Sequence, residues 1–132
     1  MKSTPAASLW LGGYASRNHP SLGVLQPLWA KSLVLEDGGG ARAAIVTMDL
    51  IGIDRRLSEA VCQRAFQKTG IPRQRIVLNC SHTHSGPVVA GVTPLVYDLD
   101  AQQLSAVAAY AQTLEDGLVA VLEEAAKDLR PG

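Results

Sequence analysis

Cysteine is scarce in this chain, and so is charge of either sign. Cys62 and Cys80 are the two thiols of the sequence. Two cysteines do not make a disulfide framework, and no CxxC or Cys/His zinc-ribbon spacing is present. Both therefore read as free thiols, Cys62 as packing inside a helical pattern. No stretch approaches the ~18 apolar residues a spanning helix needs. No apolar h-region follows the single charge of Met1-Lys2-Ser3-Thr4-Pro5, so no leader is legible and the chain as written reads as soluble and cytoplasmic. Twelve Lys and Arg balance twelve Asp and Glu. Without a cationic excess, nucleic acid is excluded as the main partner, and so is a polybasic membrane patch. No internal repeat and no low-complexity tract occurs.

What is present is a chain of 132 residues that is 47% hydrophobic and 18% charged. That length suits one domain and leaves no room for two ordinary ones. The charged share is below the usual ~25%, so much of the surface must hide, in the chain's own core or against more protein.

Three prolines and three glycines break residues 4–27 into an irregular entry segment. A strand is expected over 29–35 and a second over 43–49, joined as a hairpin by Asp37-Gly38-Gly39-Gly40. The apolar run of the second strand predicts burial on both faces. Asp54 is placed to cap a helix that runs to about Lys68, with Leu57, Val61 and Ala65 on one face and Gly70 as its stop. A third strand follows at 75–80. Strand, helix, strand at this spacing is a βαβ unit, so strands two and three should be parallel neighbours. A Gly- and Pro-rich loop then leads through Pro94. Asp100 and Gln103 form a capping box for a long helix, on which Leu104, Val107, Ala111, Leu114, Leu118, Val121, Ala125 and Leu129 define one apolar face. The fold class is α/β: a β-hairpin, a βαβ unit and a long C-terminal amphipathic helix, as part of a larger α/β domain. The face of helix 101–129 should then be covered by further protein, and the isolated chain should self-associate through it.

Chemistry concentrates in Ser81-His82-Thr83-His84-Ser85-Gly86-Pro87, directly after the third strand. The carboxyl end of a parallel strand is where open α/β sheets place their sites. In an extended segment His82 and His84 project to the same side. Both can ligate a metal, or one can ligate while the other polarises a substrate. Gly86 and Pro87 turn the chain and leave the site open to solvent. Asp49, at the end of the neighbouring strand, is a candidate to hold the ring N–H of His82, or an ordinary strand-end residue. His19 reads as a surface-loop histidine. Arg17 is either solvated or a ligand for an anionic group. Trp10, Tyr14 and Trp29 are packing residues or pocket walls.

These stretches, in order, resemble the neutral/alkaline (non-lysosomal) ceramidase family. Thr4-Pro5 followed by Leu11-Gly12-Gly13-Tyr14 is similar to its early "TP … GY" loop, and Gly23-Val24 through Val34 to its "GI-H-x-PL-x-ARAL-V" strand. Thr47 to Gly52 is similar to the "DL-x-G" strand end, and Ser81 to Pro87 to the "THTHSGP" signature, with Ser81 for the first Thr. The resemblance implies an amino-terminal fragment of a zinc-dependent amidohydrolase. Its reaction is cleavage of the N-acyl amide of ceramide or a related lipid by a zinc-activated water. By the same resemblance His82 is the metal ligand, and His84 is the catalytic histidine that faces substrate. One zinc ion is implied, incompletely ligated here, because the family's remaining histidine, glutamate and tyrosine ligands lie downstream of residue 132. Leu25 stands where the family has a histidine, which opens the substrate to lipid amides other than ceramide. Family members are often secreted or membrane-associated. The alternative is a non-catalytic binding or structural module with the same fold. A TIM-barrel hydrolase also places HxH after a strand, but that fold needs about 200 residues and repeated βα units.

Overall fold

The computed structural model describes residues 1–92 and 96–131; part of the expected loop through Pro94 lies outside them. Strand β1 (Ala30–Glu36) and strand β2 (Arg42–Met48) pair antiparallel, with Ala30 opposite Met48 and Glu36 opposite Arg42. Asp37 makes the connecting turn, because its side chain accepts from the backbone N–H groups of Gly39 and Ala41. Helix α1 (Arg55–Thr69) follows, and strand β3 (Ile76–Cys80) returns parallel to β2, with Ala44 beside Ile76 and Met48 beside Cys80. The sheet order is β1-β2-β3. Helix α2 (Ala101–Lys127) closes the fold. The α/β class, the hairpin, the βαβ unit and the long final helix are thus those the sequence implies.

Helix ends are decided locally. Asp54 accepts from the Leu57 N–H, and Gly70 ends α1 in the left-handed region at φ 72°. Asp100 and Gln103 satisfy each other's backbone donors in a complete capping box. Leu57, Val61, Cys62 and Ala65 of α1 are buried, as are Val107, Tyr110, Leu114, Leu118, Val119 and Leu122 of α2. Leu104, assigned to the apolar face from its spacing, is exposed instead. The stripe that packs begins at Val107 and takes in Tyr110 and Leu122. Arg64 on α1 reaches Glu115 and Asp116 on α2, an ion-pair cluster at the rim of the helix–helix contact.

Burial on both faces of β2 is not found. Ala44, Val46 and Met48 face the helices and are buried, while Ala43, Ile45 and Thr47 are exposed. Both helices pack on one side of the sheet, so strand composition alone did not decide the outer side. Leu33, Ile45 and Val77 stand in register across that outer face and remain 55%, 41% and 55% exposed. The apolar surface expected on the last helix therefore lies on the sheet, because α2 spends its apolar stripe on α1 and β1.

The amino terminus is part of the core rather than a tail. Met1 donates from its ammonium group to the Ala30 carbonyl, Ser3 N–H bonds Leu28 O, and the buried Tyr110 hydroxyl donates to Ser3 O at 2.9 Å. Burial pushes the Tyr110 phenol well above its ordinary range. A raised acid favours the protonated fold, so this contribution is complete below a free tyrosine's value of about 10 and is lost as pH climbs beyond it. Tyr110→Phe is expected to cost about 1–2 kcal/mol at neutral pH, because the buried Ser3 carbonyl loses its donor. It should also flatten the alkaline fall in stability, as measured by urea midpoints from pH 8 to 11.

Candidate functional site

The ladder between β2 and β3 ends at Ser81, whose N–H bonds Met48 O. Beyond it the chain leaves the sheet. His82 adopts φ +59°, the one positive φ of a non-glycine residue among those described. That backbone costs free energy for a residue with a Cβ and persists only where its surroundings hold it. The hold is visible: His82 Nδ1 lies 2.9 Å from the Ile51 carbonyl in the segment after β2. With Nδ1 donating to that carbonyl, Nε2 carries the lone pair and is free toward solvent. A histidine that ligates through Nε2 takes this arrangement.

Asp49 does something else. Its carboxylate accepts from the Trp29 N–H at 2.8 Å, and its own N–H bonds Trp29 O. It closes the open end of the hairpin, and the partner considered for it on His82 is the Ile51 carbonyl instead. His82 and His84 do come together, with ring centroids 5.4 Å apart, although the segment is a left-handed kink followed by a turn rather than extended chain.

The entry segment builds the other wall. Leu11 bridges to Pro87, Gly12 N–H bonds Gly86 O, and Val88 N–H bonds Trp10 O. This stitching lays residues 10–17 along the histidine segment. Tyr14 meets the His84 ring edge-on at 4.9 Å, and Arg17 Nη2 donates to the His84 carbonyl at 3.2 Å. Gly13 sits at φ +103° with its N–H on the Tyr97 hydroxyl. A Cβ at Gly13 would fall 2.2 Å from His84 Cγ, so the ring occupies the space that glycine leaves. Gly13→Ala is expected to displace the His84 ring, at a cost of about 1–3 kcal/mol. The check is loss of the Tyr14 ring-current shift on the His84 ring protons by NMR, with the His82 resonances retained.

Thr83 and Ser85, which alternate with the histidines, line a cavity of about 630 Å³. Its other walls are mainly apolar, among them Leu11, Leu22, Val24 and Leu25, and the tip residues Leu22 and Leu25 are almost fully exposed. Trp10 packs in a small cluster with Val88 and Val107, Trp29 is partly exposed, and His19 lies at the surface against Pro20 O. Both cysteines are free. Burial pushes both thiols up, so neither is poised as a thiolate.

The residues that hold the two histidines were beyond sequence reasoning in their pairing. Gly13 and Tyr14 stand in a motif the sequence displays, but nothing couples them to His84 some seventy positions on. The Ile51 carbonyl is backbone and leaves no signature at all.

Among the described residues no group of three His, Cys, Asp or Glu side chains is gathered to hold a metal. His82, with Nδ1 anchored and Nε2 free, fits one position of a zinc shell. His84 is near enough to be a second donor or to face a substrate.

Two solved structures share this architecture. A neutral ceramidase from Pseudomonas aeruginosa is 28% identical and superposes with a TM-score of 0.75 over 99% of this chain and 21% of its own. A ceramidase complexed with C2 matches equally, over 20% of its length. The chain spans about a fifth of the length of these relatives. The family model for the N-terminal part of neutral/alkaline non-lysosomal ceramidases matches residues 3–132, and the chain belongs to that family.

Proposed function

We propose that this chain is the amino-terminal portion of a zinc-dependent amidohydrolase that cleaves the N-acyl bond of ceramide or a related lipid amide. The observation that carries the reading is His82. It is fixed by the Ile51 carbonyl with Nε2 free, next to a segment whose alternate residues, Thr83 and Ser85, line an apolar cavity. His82 would hold the zinc together with ligands supplied from beyond residue 132. Zinc, when bound, supplies an activated water and a polarised amide oxygen. The cavity, within the range of small-molecule sites, takes acyl chain. Thr83 and Ser85 offer hydroxyls at its polar edge. His84, braced by Gly13, Tyr14 and the Arg17 contact to its carbonyl, faces the substrate amide and is placed to hold or pass a proton.

The test is fatty-acid release from ceramide and from simpler N-acyl amines by a protein carrying this chain and its downstream sequence, with and without a chelator. Metal-dependent release supports the reading. Binding of N-acyl amines without release, in zinc-replete protein, would instead support the non-catalytic module.

A further inference from the structure

The distribution of charge around the two histidines is unlike that of the chain as a whole. The chain is neutral, yet residues 1–35 contain Lys2, Arg17 and Lys31 and no Asp or Glu, and residues 60–97 contain Arg64, Lys68, Arg73 and Arg75 and again none. These two stretches supply His82, His84, Tyr14 and Arg17. Of the carboxylates on the segment after β2, Asp49 is engaged by the Trp29 N–H and Asp54 by the Leu57 N–H.

Arg17 belongs to the first of these stretches. Its guanidinium lies 5.7 Å from the Tyr14 ring centre, and that ring lies against His84, which lies against His82. The side chain is partly buried, and among the described residues no carboxylate lies within ion-pair distance of it. Arg42, Arg55, Arg64 and Arg130 all have such partners. Of the five N–H donors of Arg17, one reaches an acceptor among the described residues, the His84 carbonyl, while Nε is shielded from solvent without any such partner. A partly desolvated guanidinium with no carboxylate partner among the described residues is stabilised by an anion, and its planar fork matches carboxylate and phosphate.

We propose that Arg17 is the recognition point for an anionic group on the substrate, a carboxylate or a phosphate carried close to the amide. The inference rests on the amidohydrolase reading for its substrate, and on Arg17 and its surroundings for the charge. It assigns to the site N-acyl amines whose amine half is acidic, in preference to neutral ones. The carbonyl contact from Nη2 keeps the guanidinium beside His84, so an anion held there would set the amide against the histidine pair.

Three probes of equal acyl length separate the possibilities: N-hexanoylglycine, N-hexanoyl phosphoethanolamine and neutral N-hexanoylethanolamine. Each is titrated into the full chain and followed by NMR on the Arg17 Nε–H and the His84 ring. One charge-assisted contact predicts that at least one acidic amide binds roughly tenfold or more tightly than the neutral one. The ratio between the two acidic probes tells carboxylate from phosphate. Arg17→Met should bring the acidic amides down to the affinity of the neutral one, and Arg17→Lys should restore part of the difference. Backbone spectra of both variants report whether the entry segment keeps its fold. Equal binding of all three probes, no binding of either acidic one, or a preference that survives Arg17→Met in the folded protein would overturn the proposal. Equal binding together with hydrolysis would leave the amidohydrolase reading standing. An acidic preference without hydrolysis in the zinc-loaded longer protein would do the reverse.

Discussion

His82→Ala is expected to remove zinc and amide hydrolysis together from a protein that carries this chain and its downstream sequence. The imidazole is the side chain here whose geometry suits direct ligation, with Nδ1 committed to the Ile51 carbonyl and Nε2 free. Its loss would take away the imidazole that the Ile51 carbonyl holds in place for ligation. His84→Ala should behave differently. Its ring is braced by Gly13 and Tyr14 on the substrate side. Turnover should fall by about 10²- to 10⁴-fold, the range of a lost acid–base group, while most of the zinc stays. Elemental analysis for zinc beside fatty-acid release separates the two. Zinc lost from His84→Ala but kept in His82→Ala would reverse the assignment. Residues 1–132 alone should bind zinc weakly and hydrolyse nothing measurable, since two imidazoles leave an ion mostly hydrated. Tight stoichiometric zinc on that piece would contradict the count of ligands.

The elements that sequence made legible are those governed by neighbours in the chain. Asp54, Gly70 and the Asp100–Gln103 box each act within a turn of themselves, and each does what its residue type dictates. The hairpin is legible for the same reason, since Asp37 closes its turn with its own side chain. The outer face of the sheet is a different kind of fact. Ile45 is as apolar as Val46, and which of the two is buried depends on where α1 and α2 lie. Leu104 fits the helical period as well as Leu114 does, yet is exposed, because the period alone does not say where the packed stripe begins. The site divides along the same line. The histidine pair is a local string and was read directly, whereas the contacts that orient it span 31 residues to Ile51 and 67 to Arg17. Strand adjacency allows Asp49 either a place beside His82 or that of an ordinary strand-end residue. The backbone turns its carboxylate to Trp29, where the N–H at the hairpin end takes it as acceptor.

Gly86→Ala is expected to harm the site more than its size suggests. From the sequence, Gly86 and Pro87 read as a turn that opens the site to water. His82 and Ser85 are indeed exposed, but Gly86 and Pro87 are buried and serve as the joint between the histidine segment and the sheet. Gly86 O accepts from Gly12 N–H, which ties the entry segment to the site. A Cβ at Gly86 would lie 2.9 Å from the Asp49 carbonyl oxygen and 3.2 Å from Thr83 Cγ2. The first of these is backbone at the end of β2 and cannot swing aside as a long side chain would. Relief requires residues 83–86 to move away from β2. Such a shift weakens the Gly12 contact and carries His84 off Tyr14. The expected cost is about 1–3 kcal/mol of stability, as for other overpacked buried positions. The functional loss should be at least that of His84→Ala, because the Gly12 tie and the His84 bracing go together. Urea midpoints measure the first effect. Imidazole spectra measure the second, through altered shifts at both His82 and His84. A Gly86→Ala protein with unchanged midpoint and unchanged histidine spectra would show that β2 yields at Asp49, and that the joint is softer than these distances imply.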